Sequence, residues 1–370
     1  MPAFRSLPRV AVIGGFGNFG ARICRRLSQE RNIEIVATGR RVPATDHGPA
    51  VRSAALDIQS TSFPAALRAL SPNVVIHCAG PFQGQDYRVV QASLACGAHY
   101  IDLADGRDFV VRFSGQNQAA ALAANRVAIS GASTLPALSS AVIDDLMARI
   151  SHIEEIEIAI APGQQAPRGT ATMAAVLGYA GLDFKWLRDG AWQTAHGWQQ
   201  LRRMRFPFGT RYAAACDVPD LALFPARYPG VRTVTFRAAL ELPVEHFALW
   251  TIAGLRRIGL APPVARWAGA LDRIGGWLDR FGSDRGGMSV SVTGRARGGA
   301  RRRATWQLVA NSNHGPEIPC MAAVLLACRL SKGGALPHGA HACMGMLRLS
   351  DFQAEFSRWN ISTHTAEAPA

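Results

Sequence analysis

A glycine-rich loop between two apolar segments constrains the fold most strongly. Residues 10–13 form a short apolar run, and Ile23 and Leu27 recur at helical spacing after the loop. The loop fits both Gly-x-Gly-x-x-Gly and Gly-x-x-Gly-x-x-Gly, whose glycines allow a tight turn and let backbone N–H groups approach a pyrophosphate at a helix N-terminus. In a chain with 36 glycines the same pattern can also be purely structural. We predict strand, nucleotide-binding loop and helix, with cofactor contacts from Gly14, Gly15, Phe16, Gly17, Asn18, Phe19 and Gly20.

The end of the second predicted strand indicates which dinucleotide would fit. This strand is predicted over residues 33–39, at the right distance to complete a βαβ unit. NAD enzymes usually place Asp or Glu at its end, where the carboxylate accepts a hydrogen bond from the ribose 2′-hydroxyl. Here the chain continues with Arg40 and Arg41, and guanidinium groups suit a 2′-phosphate. We therefore expect NADP(H), with solvated loop arginines as the alternative.

Strand and helix patterns then alternate as far as residue 131. Strands are predicted at 54–57, 74–82, 100–103 and 127–131, and helices at 63–70, 88–96 and 116–125. Such alternation indicates a parallel, doubly wound α/β sheet of Rossmann type, with ligand sites at the carboxyl ends of the strands. We assign residues 1–150 to this domain. Asp57 is expected near the adenine, and the nicotinamide half is expected along Cys78, Ala79, Gly80, Pro81 and Phe82.

Four stretches in this order resemble the saccharopine dehydrogenase-like superfamily of NADP-dependent oxidoreductases. They are residues 12–20, 75–82, 95–105 and 130–139, and residues 315–319 resemble the superfamily more loosely. The resemblance implies a Rossmann domain followed by a mixed α/β domain that covers the nicotinamide. It also implies hydride transfer to or from a C=N or C=C bond, but it does not imply saccharopine as the substrate.

Four alternating segments in the second half predict an antiparallel sheet. They lie at residues 153–161, 231–237, 288–292 and 304–310. We expect a mixed α/β (α+β) substrate and dimerisation domain over 151–315 that contains a mixed sheet, and a C-terminal helix and tail over 316–370 that pack back on the first domain. The cleft between the domains is the default active site, and a homodimer is expected by analogy of fold alone.

Candidates for the proton donor stand around residue 100. Hydride transfer is the cofactor's chemistry, so the protein must supply a proton, and we name Tyr100, Asp102 and His99 as catalytic candidates. Strand alternation places Tyr100 and Asp102 on one face and His99 on the other. Asp102 has the alternative of capping the next segment or holding the turn at Ser133 and Thr134. A buried histidine bonded to backbone is the commoner explanation for His99.

Two pairs of residues are candidates for substrate binding. Ser133 and Thr134 stand at the expected start of a helix, where hydroxyls and the helix N-terminus suit an anionic group, although capping explains them equally well. Arg205 and Arg211 are candidate carboxylate clamps. The His-x-x-His at 338–341 lacks a third ligand nearby, so no metal is expected.

The formal net charge of +14 raises the question of an anionic partner. Residues 247–282 form an apolar helical insertion with recurring arginines, and Arg301–Arg303 lie in a predicted hairpin. Either segment suits contact with an anionic membrane or an acyl carrier; a packed helix pair and a solvated hairpin tip are the alternatives. Basic patches interleaved with stacking aromatics are missing, so we expect no nucleic-acid partner.

Cysteine usage and hydropathy suggest a compartment. The seven cysteines are dispersed without Cys-x-x-Cys, and no apolar run of membrane-spanning length occurs. We expect a cytoplasmic protein, with peripheral membrane contact as an option.

Three functions stay open at this level. The first is an NADP(H)-dependent oxidoreductase acting on a C=N (CH–NH) bond of a small substrate. The second is a trans-acting enoyl reductase acting on a C=C bond of a lipid or carrier-bound acyl chain. The third is a non-catalytic NADP-sensing module. Tyr-x-x-x-Lys does not occur, which excludes the short-chain dehydrogenase arrangement.

Overall fold

The computed structural model describes residues 7–44, 48–167, 169, 173–174, 177–262 and 275–370. The chain divides into two compact units, Met1–Leu138 with Glu317–Leu347, and Ser139–Pro316 with Arg348–Ala370. The division differs from the expected boundaries in two places. Residues 139–150 are part of the second unit, and the tail from Arg348 also lies there because its last strand joins the second sheet.

The first unit is built on a seven-stranded parallel sheet with the order β15-β6-β5-β4-β1-β2-β3. Every pairing in it is parallel, and strands such as β4 and β6 are buried along their whole length, as expected for a sheet covered on both faces. The strands are β1 Arg9–Ile13, β2 Glu34–Gly39, β3 Val51–Ala55, β4 Val74–His77, β5 His99–Asp102, β6 Val127–Ser130 and β15 Gly339–Ala342.

Helices accompany these strands in the order expected of a Rossmann-type domain. The helices of the first unit are α1 Asn18–Leu27, α2 Phe63–Ala69, α3 Arg88–Ala95, α4 Arg107–Ala123 and the C-terminal α8 Ile318–Ser331. Helix α8 is apolar around most of its circumference and packs against α1, β4 and β5. Glu317, the residue before it, forms a buried ion pair with Arg22 of α1 at 2.5 Å.

The second unit contains a nine-stranded sheet with the path β10-β11-β12-β7-β13-β14-β16. Off this path, β8 pairs with β12, and β9 pairs with β8. Strand β7 pairs parallel with β12 and antiparallel with β13, so the sheet is mixed, as predicted for this domain. Of the four alternating segments expected to be antiparallel, β7 and β12 run parallel to each other. The strands are β7 His152–Ala161, β8 Asp183–Arg188, β9 Ala191–His196, β10 Gln199–Phe206, β11 Gly209–Ala215, β12 Thr233–Ala239, β13 Gly286–Arg295, β14 Arg301–Ala310 and β16 Ile361–Pro369.

The described part of this unit includes the helices α5 Ser139–Leu146, α6 Asp220–Arg227, α7 Pro243–Arg257 and α9 Gln353–Arg358. Within the predicted insertion at 247–282, residues 263–274 lie outside the described residues. Helix α7 turns His246, Leu249 and Ala253 inward and leaves apolar side chains exposed on its other side. Within the described ranges, none of the helices has the length and hydropathy needed to cross a bilayer.

The arginines at 301–303 lie on a hairpin, as predicted, but two of them are bonded within the sheet. Strands β13 and β14 pair along their full length. Arg301 donates to Glu154 and Glu155, and Arg303 donates to Glu157 at 2.7 Å. Because carboxylates of β7, which lies beyond β13 in the same sheet, face these guanidinium groups, much of the local positive charge is balanced inside the unit.

Candidate nucleotide-binding site

The glycine loop is a tight turn held against β2. The N–H groups of Gly14 and Gly15 both donate to the Thr38 carbonyl, at 2.9 and 2.8 Å, and Gly17 N–H donates back to the Gly14 carbonyl at 2.9 Å. Gly14 has φ +79°, a conformation that L side chains rarely adopt. The loop therefore leads from β1 into α1 as the motif predicts.

Absent side chains let the loop and helix pack closely. A Cβ on Gly20 would collide with the Gly14 carbonyl oxygen, and a Cβ on Gly15 would lie 2.9 Å from the Ala37 Cβ. Helix α1 begins after Gly17 without a side-chain cap and without an acidic residue in its first turn. Such an N-terminus, bordered by a cradle of glycines, fits the pyrophosphate of a dinucleotide because backbone N–H groups and the helix dipole both favour an anion.

The end of β2 carries positive charge beside the loop. The Phe16 ring lies against Gly39, where a Cβ would approach it to 3.0 Å. Arg40 and Arg41 follow and are exposed, and neither has an ion-pair partner among the residues that the structure describes. This arrangement fits a 2′-phosphate better than a 2′-hydroxyl, since no carboxylate stands at the strand end. Asp57 is exposed after β3 and accepts the Gln59 N–H at 3.0 Å, so it also closes its own turn.

The segment after β4 meets the glycine loop directly. A Cβ on Gly14 would lie 3.0 Å from the Ala79 nitrogen. Gln85 Nε2 donates to the carbonyls of Ala79 and Pro81, at 2.8 and 2.7 Å, and so fixes this segment. Cys78, Ala79 and Gly80 are half-buried and Pro81 is exposed, whereas Phe82 is buried. Two of the segments predicted to hold the cofactor are thus neighbours at one edge of the sheet.

Asp102 is buried at the end of β5, and its carboxylate is committed to the backbone. Oδ1 accepts the N–H of Gly131 at 2.8 Å, the N–H of Ala104 at 2.9 Å and the hydroxyl of Ser130 at 2.9 Å. Burial raises the pKa of Asp102 to about 6, and these donors oppose the rise. Asp102 therefore caps the following segment and holds the turn at Gly131, which are the two structural alternatives to a catalytic role.

Tyr100 is fully buried within an aromatic cluster of the first unit. Its hydroxyl lies 3.0 Å from His77 Nδ1, and its ring stacks on Phe113 of α4 at 5.9 Å. Burial lowers the pKa of His77 to about 4, so the imidazole is neutral at neutral pH. The catalytic assignment of Tyr100 lacks support from this geometry because neither group reaches the protein surface.

His99 is the first residue of β5 and lies at the amino edge of the parallel sheet, opposite the glycine loop. Its Nδ1 accepts the Val127 N–H at 3.0 Å, which joins the starts of β5 and β6. Burial and the Arg126 charge lower the pKa of His99 to about 4. This position does not support the catalytic assignment of His99, since ligands of such sheets bind at the carboxyl edge.

Ser133 and Thr134 follow β6 at the carboxyl edge, but they do not begin a regular helix. Ser133 N–H donates to the Gly131 carbonyl at 2.8 Å. A short helical segment at Thr134–Leu138 is interrupted by extended backbone at Leu135, the residue before Pro136, and α5 begins only at Ser139. Both side chains are half-buried, so a substrate role stays a prediction.

Arg205 and Arg211 do not form a joint clamp. In the β10–β11 hairpin Arg205 pairs with Thr210 and Arg211 pairs with Met204, so alternation sends the two arginines to opposite faces. Arg211 donates to Glu241 at 2.8 Å and lies over the Phe208 ring. Glu241 also accepts the N–H of Gln164 and both donors of Ser283. Arg211 is thus part of a loop-fixing network that sequence spacing did not indicate.

One buried carboxylate escaped sequence analysis. Asp220 begins α6 and is fully buried, and its Oδ2 accepts a hydrogen bond from the Ser139 hydroxyl, with 2.6 Å between the two oxygens. Burial raises the pKa of Asp220 to about 7. Nothing in the local sequence distinguishes this aspartate from a solvated helix cap, and only the tertiary contact with α5 reveals it.

Comparison with known proteins agrees with this geometry. Residues 10–132 match the family model of the saccharopine dehydrogenase NADP binding domain. A search of curated protein sequences finds no match to the chain.

Solved structures show the fold of the whole chain. Apo saccharopine dehydrogenase (L-Glu forming) from Saccharomyces cerevisiae is similar with a TM-score of 0.69 and 12% identity, covering 98% of this chain and 100% of that one. Homospermidine synthase from Legionella pneumophila, in complex with NAD, is similar with a TM-score of 0.64 and 10% identity, covering 98% and 91%. An engineered D-amino acid dehydrogenase bound to NADP+ has a TM-score of 0.50 and 16% identity, covering 94% and 99%.

These findings confirm the predicted resemblance and fold class. Residues 10–132 match the family model of the saccharopine dehydrogenase NADP binding domain, and the whole chain has an α/β fold similar to that of saccharopine dehydrogenase.

Proposed function

We propose that the protein is an NADP(H)-dependent oxidoreductase that transfers a hydride to or from a C=N (CH–NH) bond of a small substrate. The observation that carries this proposal is the glycine cradle beside two exposed arginines without a carboxylate at the end of β2. The match of residues 10–132 to an NADP-binding family supports the cofactor. The names of two similar structures, a saccharopine dehydrogenase and a D-amino acid dehydrogenase, support a substrate with an amine-bearing carbon.

The residues of the chain would bind and orient the cofactor. Gly14–Gly20 would hold the pyrophosphate, Arg40 and Arg41 the 2′-phosphate, and Cys78–Phe82 the nicotinamide side, because these segments adjoin at one edge. When bound, NADPH supplies the hydride. Ser133 and Thr134 are the side chains we propose for substrate contact at the same edge. We assign the proton transfer to none of Tyr100, Asp102 and His99, because Tyr100 and Asp102 are fully buried and His99 lies at the opposite edge of the sheet.

Cofactor choice is tested by titrating the protein with NADPH and NADH. We expect NADPH to bind at least about tenfold more tightly, and Arg40→Asp to remove most of that preference, since a charge-assisted bond to the phosphate becomes a repulsion. Arg31→Asp is the matched control, because Arg31 is also exposed and precedes β2 at its other end. It should keep the preference. Equal affinities in the wild-type protein would contradict the cofactor proposal.

The exposed apolar side of α7 favours a second candidate, reduction of a C=C bond in a lipid or carrier-bound acyl chain. The two reactions are separated by following NADPH oxidation with a panel of imines, each formed from a keto acid and an amine, and with a panel of enoyl thioesters. Turnover of imines alone supports the first function, and turnover of thioesters alone supports the second. Tight NADPH binding without turnover of either panel would support an NADP-sensing module.

A further inference from the structure

Helix α7 has an apolar side that faces away from its unit. Val244 is 64% exposed and Ile258, just past the helix end, is 65% exposed. Phe247, Trp250 and Leu255 lie between them at helical spacing and are each more than a third exposed. The opposite side, with Leu249 and Ala253, is buried against the unit. On an ordinary surface helix, the side that faces solvent carries polar and charged residues instead.

A second exposed apolar element lies beside the start of α7. Trp277 is 81% exposed and Phe281 is 64% exposed. Gln164 holds this element next to the helix, because its Nε2 donates to Glu245 of α7 at 3.0 Å and to Asp279 at 3.3 Å. Together these side chains form the α7 face, which we define as Val244, Phe247, Trp250, Leu255, Ile258, Leu260, Trp277 and Phe281.

Among the described residues of α7 and of the element with Trp277 and Phe281, the exposed charges are positive. Arg257 at the end of α7 is exposed, and so is Arg280, whose guanidinium lies 4.8 Å from the centre of the Phe281 ring. Glu245 is the one carboxylate in the sequence of α7, and it is bonded to Gln164. Arg256 is turned inward, where it donates to the carbonyls of Gly178 and Ala180.

This charge distribution selects one occupant for the face. A second copy of the chain would bring Arg257 and Arg280 against their own counterparts, in a protein whose formal net charge is +14. An anionic bilayer instead complements the arginines with lipid phosphates, while tryptophan and phenylalanine enter the headgroup boundary. We infer that the α7 face binds the surface of an anionic lipid bilayer, with α7 lying in the plane of the headgroups. This inference is independent of the proposed enzymatic function.

The test is co-sedimentation of the full chain with vesicles of phosphatidylcholine alone and of phosphatidylcholine mixed with phosphatidylglycerol. We expect binding to the anionic vesicles, and weak binding to the neutral ones. The W250A/I258A double variant should lose at least about tenfold in affinity, because two buried apolar contacts are removed. Arg257→Gln combined with Arg280→Gln should lose about tenfold on anionic vesicles alone.

Trp192→Ala is the matched control. Trp192 is 52% exposed on β9, outside the α7 face, so its removal should leave vesicle binding unchanged. Thermal unfolding of every variant checks that the fold is kept, and the arginine pair gives an independent readout if the apolar variant unfolds. The inference is overturned if the wild-type protein ignores anionic vesicles, or if Trp192→Ala weakens binding as much as W250A/I258A. It is also overturned if W250A/I258A dissociates a dimer and leaves vesicle binding intact.

Discussion

Two corners at the carboxyl edge of the seven-stranded sheet are built in opposite ways. The open corner consists of Gly14–Gly20 and Gly39–Arg41, where glycines clear space and two arginines are exposed. The closed corner consists of Asp102, Ser130 and Gly131, where one carboxylate oxygen accepts three hydrogen bonds in a fully buried setting. Both corners flank β4, and both contain groups that suggest chemistry in the sequence.

The difference shows that position at the ligand-binding edge is not enough to make a polar residue functional. The Asp102 carboxylate stabilises the loops that it holds, because its Oδ1 accepts three hydrogen bonds, and burial keeps its Oδ2 away from solvent. An arginine without a described partner, beside a cradle that a side chain would fill, retains its capacity. The number of hydrogen-bond partners that each polar group already has therefore distinguishes the two corners, whereas sequence motifs do not.

Removing the Asp102 carboxylate from the closed corner should have the largest effect, which we expect on stability. Asp102→Ala leaves two N–H groups and one hydroxyl buried without an acceptor, and we expect the free energy of unfolding to fall by about 3–5 kcal/mol. Asp102→Asn keeps one oxygen for these donors and should cost about 1–2 kcal/mol. Urea unfolding measures both.

Asp102→Asn also tests the catalytic alternative. For any substrate in the panels that turns over, we expect kcat to stay within about threefold of the wild-type value, since a structural acceptor is retained. A fall of about a hundredfold or more at unchanged NADPH affinity would instead establish Asp102 as a proton donor.

Adding a side chain to the glycine loop of the open corner should have the next largest effect, which we expect on NADPH affinity. The added Cβ in Gly20→Ala collides with the Gly14 carbonyl, so we expect NADPH affinity to fall at least about a hundredfold, which is about 3 kcal/mol. Calorimetric titration measures this loss. Gly115→Ala is the control, because Gly115 of α4 has open space around it; it should keep the affinity and add up to about 1 kcal/mol of stability. Unchanged binding in Gly20→Ala would remove the loop from the cofactor site.

Asp220 sharpens the comparison, because it is a buried carboxylate with one side-chain donor where Asp102 has two backbone donors and one hydroxyl. Its pKa is raised to about 7, against about 6 for Asp102. A folded protein that keeps this proton while the unfolded chain releases it loses stability as the pH rises from the ordinary carboxylate range through 7.

We therefore expect the stability of Asp220→Asn relative to the wild-type protein to rise between pH 5 and a pH above 7 by on the order of 1–3 kcal/mol. Urea unfolding at the two pH values measures the difference. Asp57→Asn, at an exposed carboxylate, is the control and should shift stability equally at both. A stability difference for Asp220→Asn that is independent of pH would show that Asp220 is ionised in the folded protein throughout.

The sequence predicted the alternating core of the first unit well, because continuous apolar runs at β1, β2, β4, β5 and β6 mark strands buried on both faces. It missed strand β15, whose residues Gly-Ala-His-Ala have little strand preference and are paired only through β6. It also found only the second half of α4, since Phe109, Val110 and Val111 favour strands locally. The burial of Phe109 and Val110 at helical spacing with Phe113 and Asn117 overrides that preference, while Val111 is exposed.

For the site, the local motif was informative and the long-range contacts were not visible. The glycine loop forms the expected turn because consecutive glycines allow the backbone conformation that this turn requires. The bonds of Asp102 to Gly131, of Arg211 to Glu241 and of Asp220 to Ser139 join residues far apart in the chain. Such pairs determine which polar groups already have a hydrogen-bond partner, and a single sequence does not reveal these pairs.

The return of the chain at Glu317–Leu347 has a consequence for biosynthesis. Strand β15 and helix α8 complete a sheet whose other six strands are synthesised before residue 131, and the strands β7 to β14 are made in between. A nascent chain therefore presents an unpaired β6 edge and the uncovered surface of α1, β4 and β5 until residues 317–347 emerge. Synthesis of the nucleotide-binding unit thus starts before the second unit and is completed only after most of the second unit has been made.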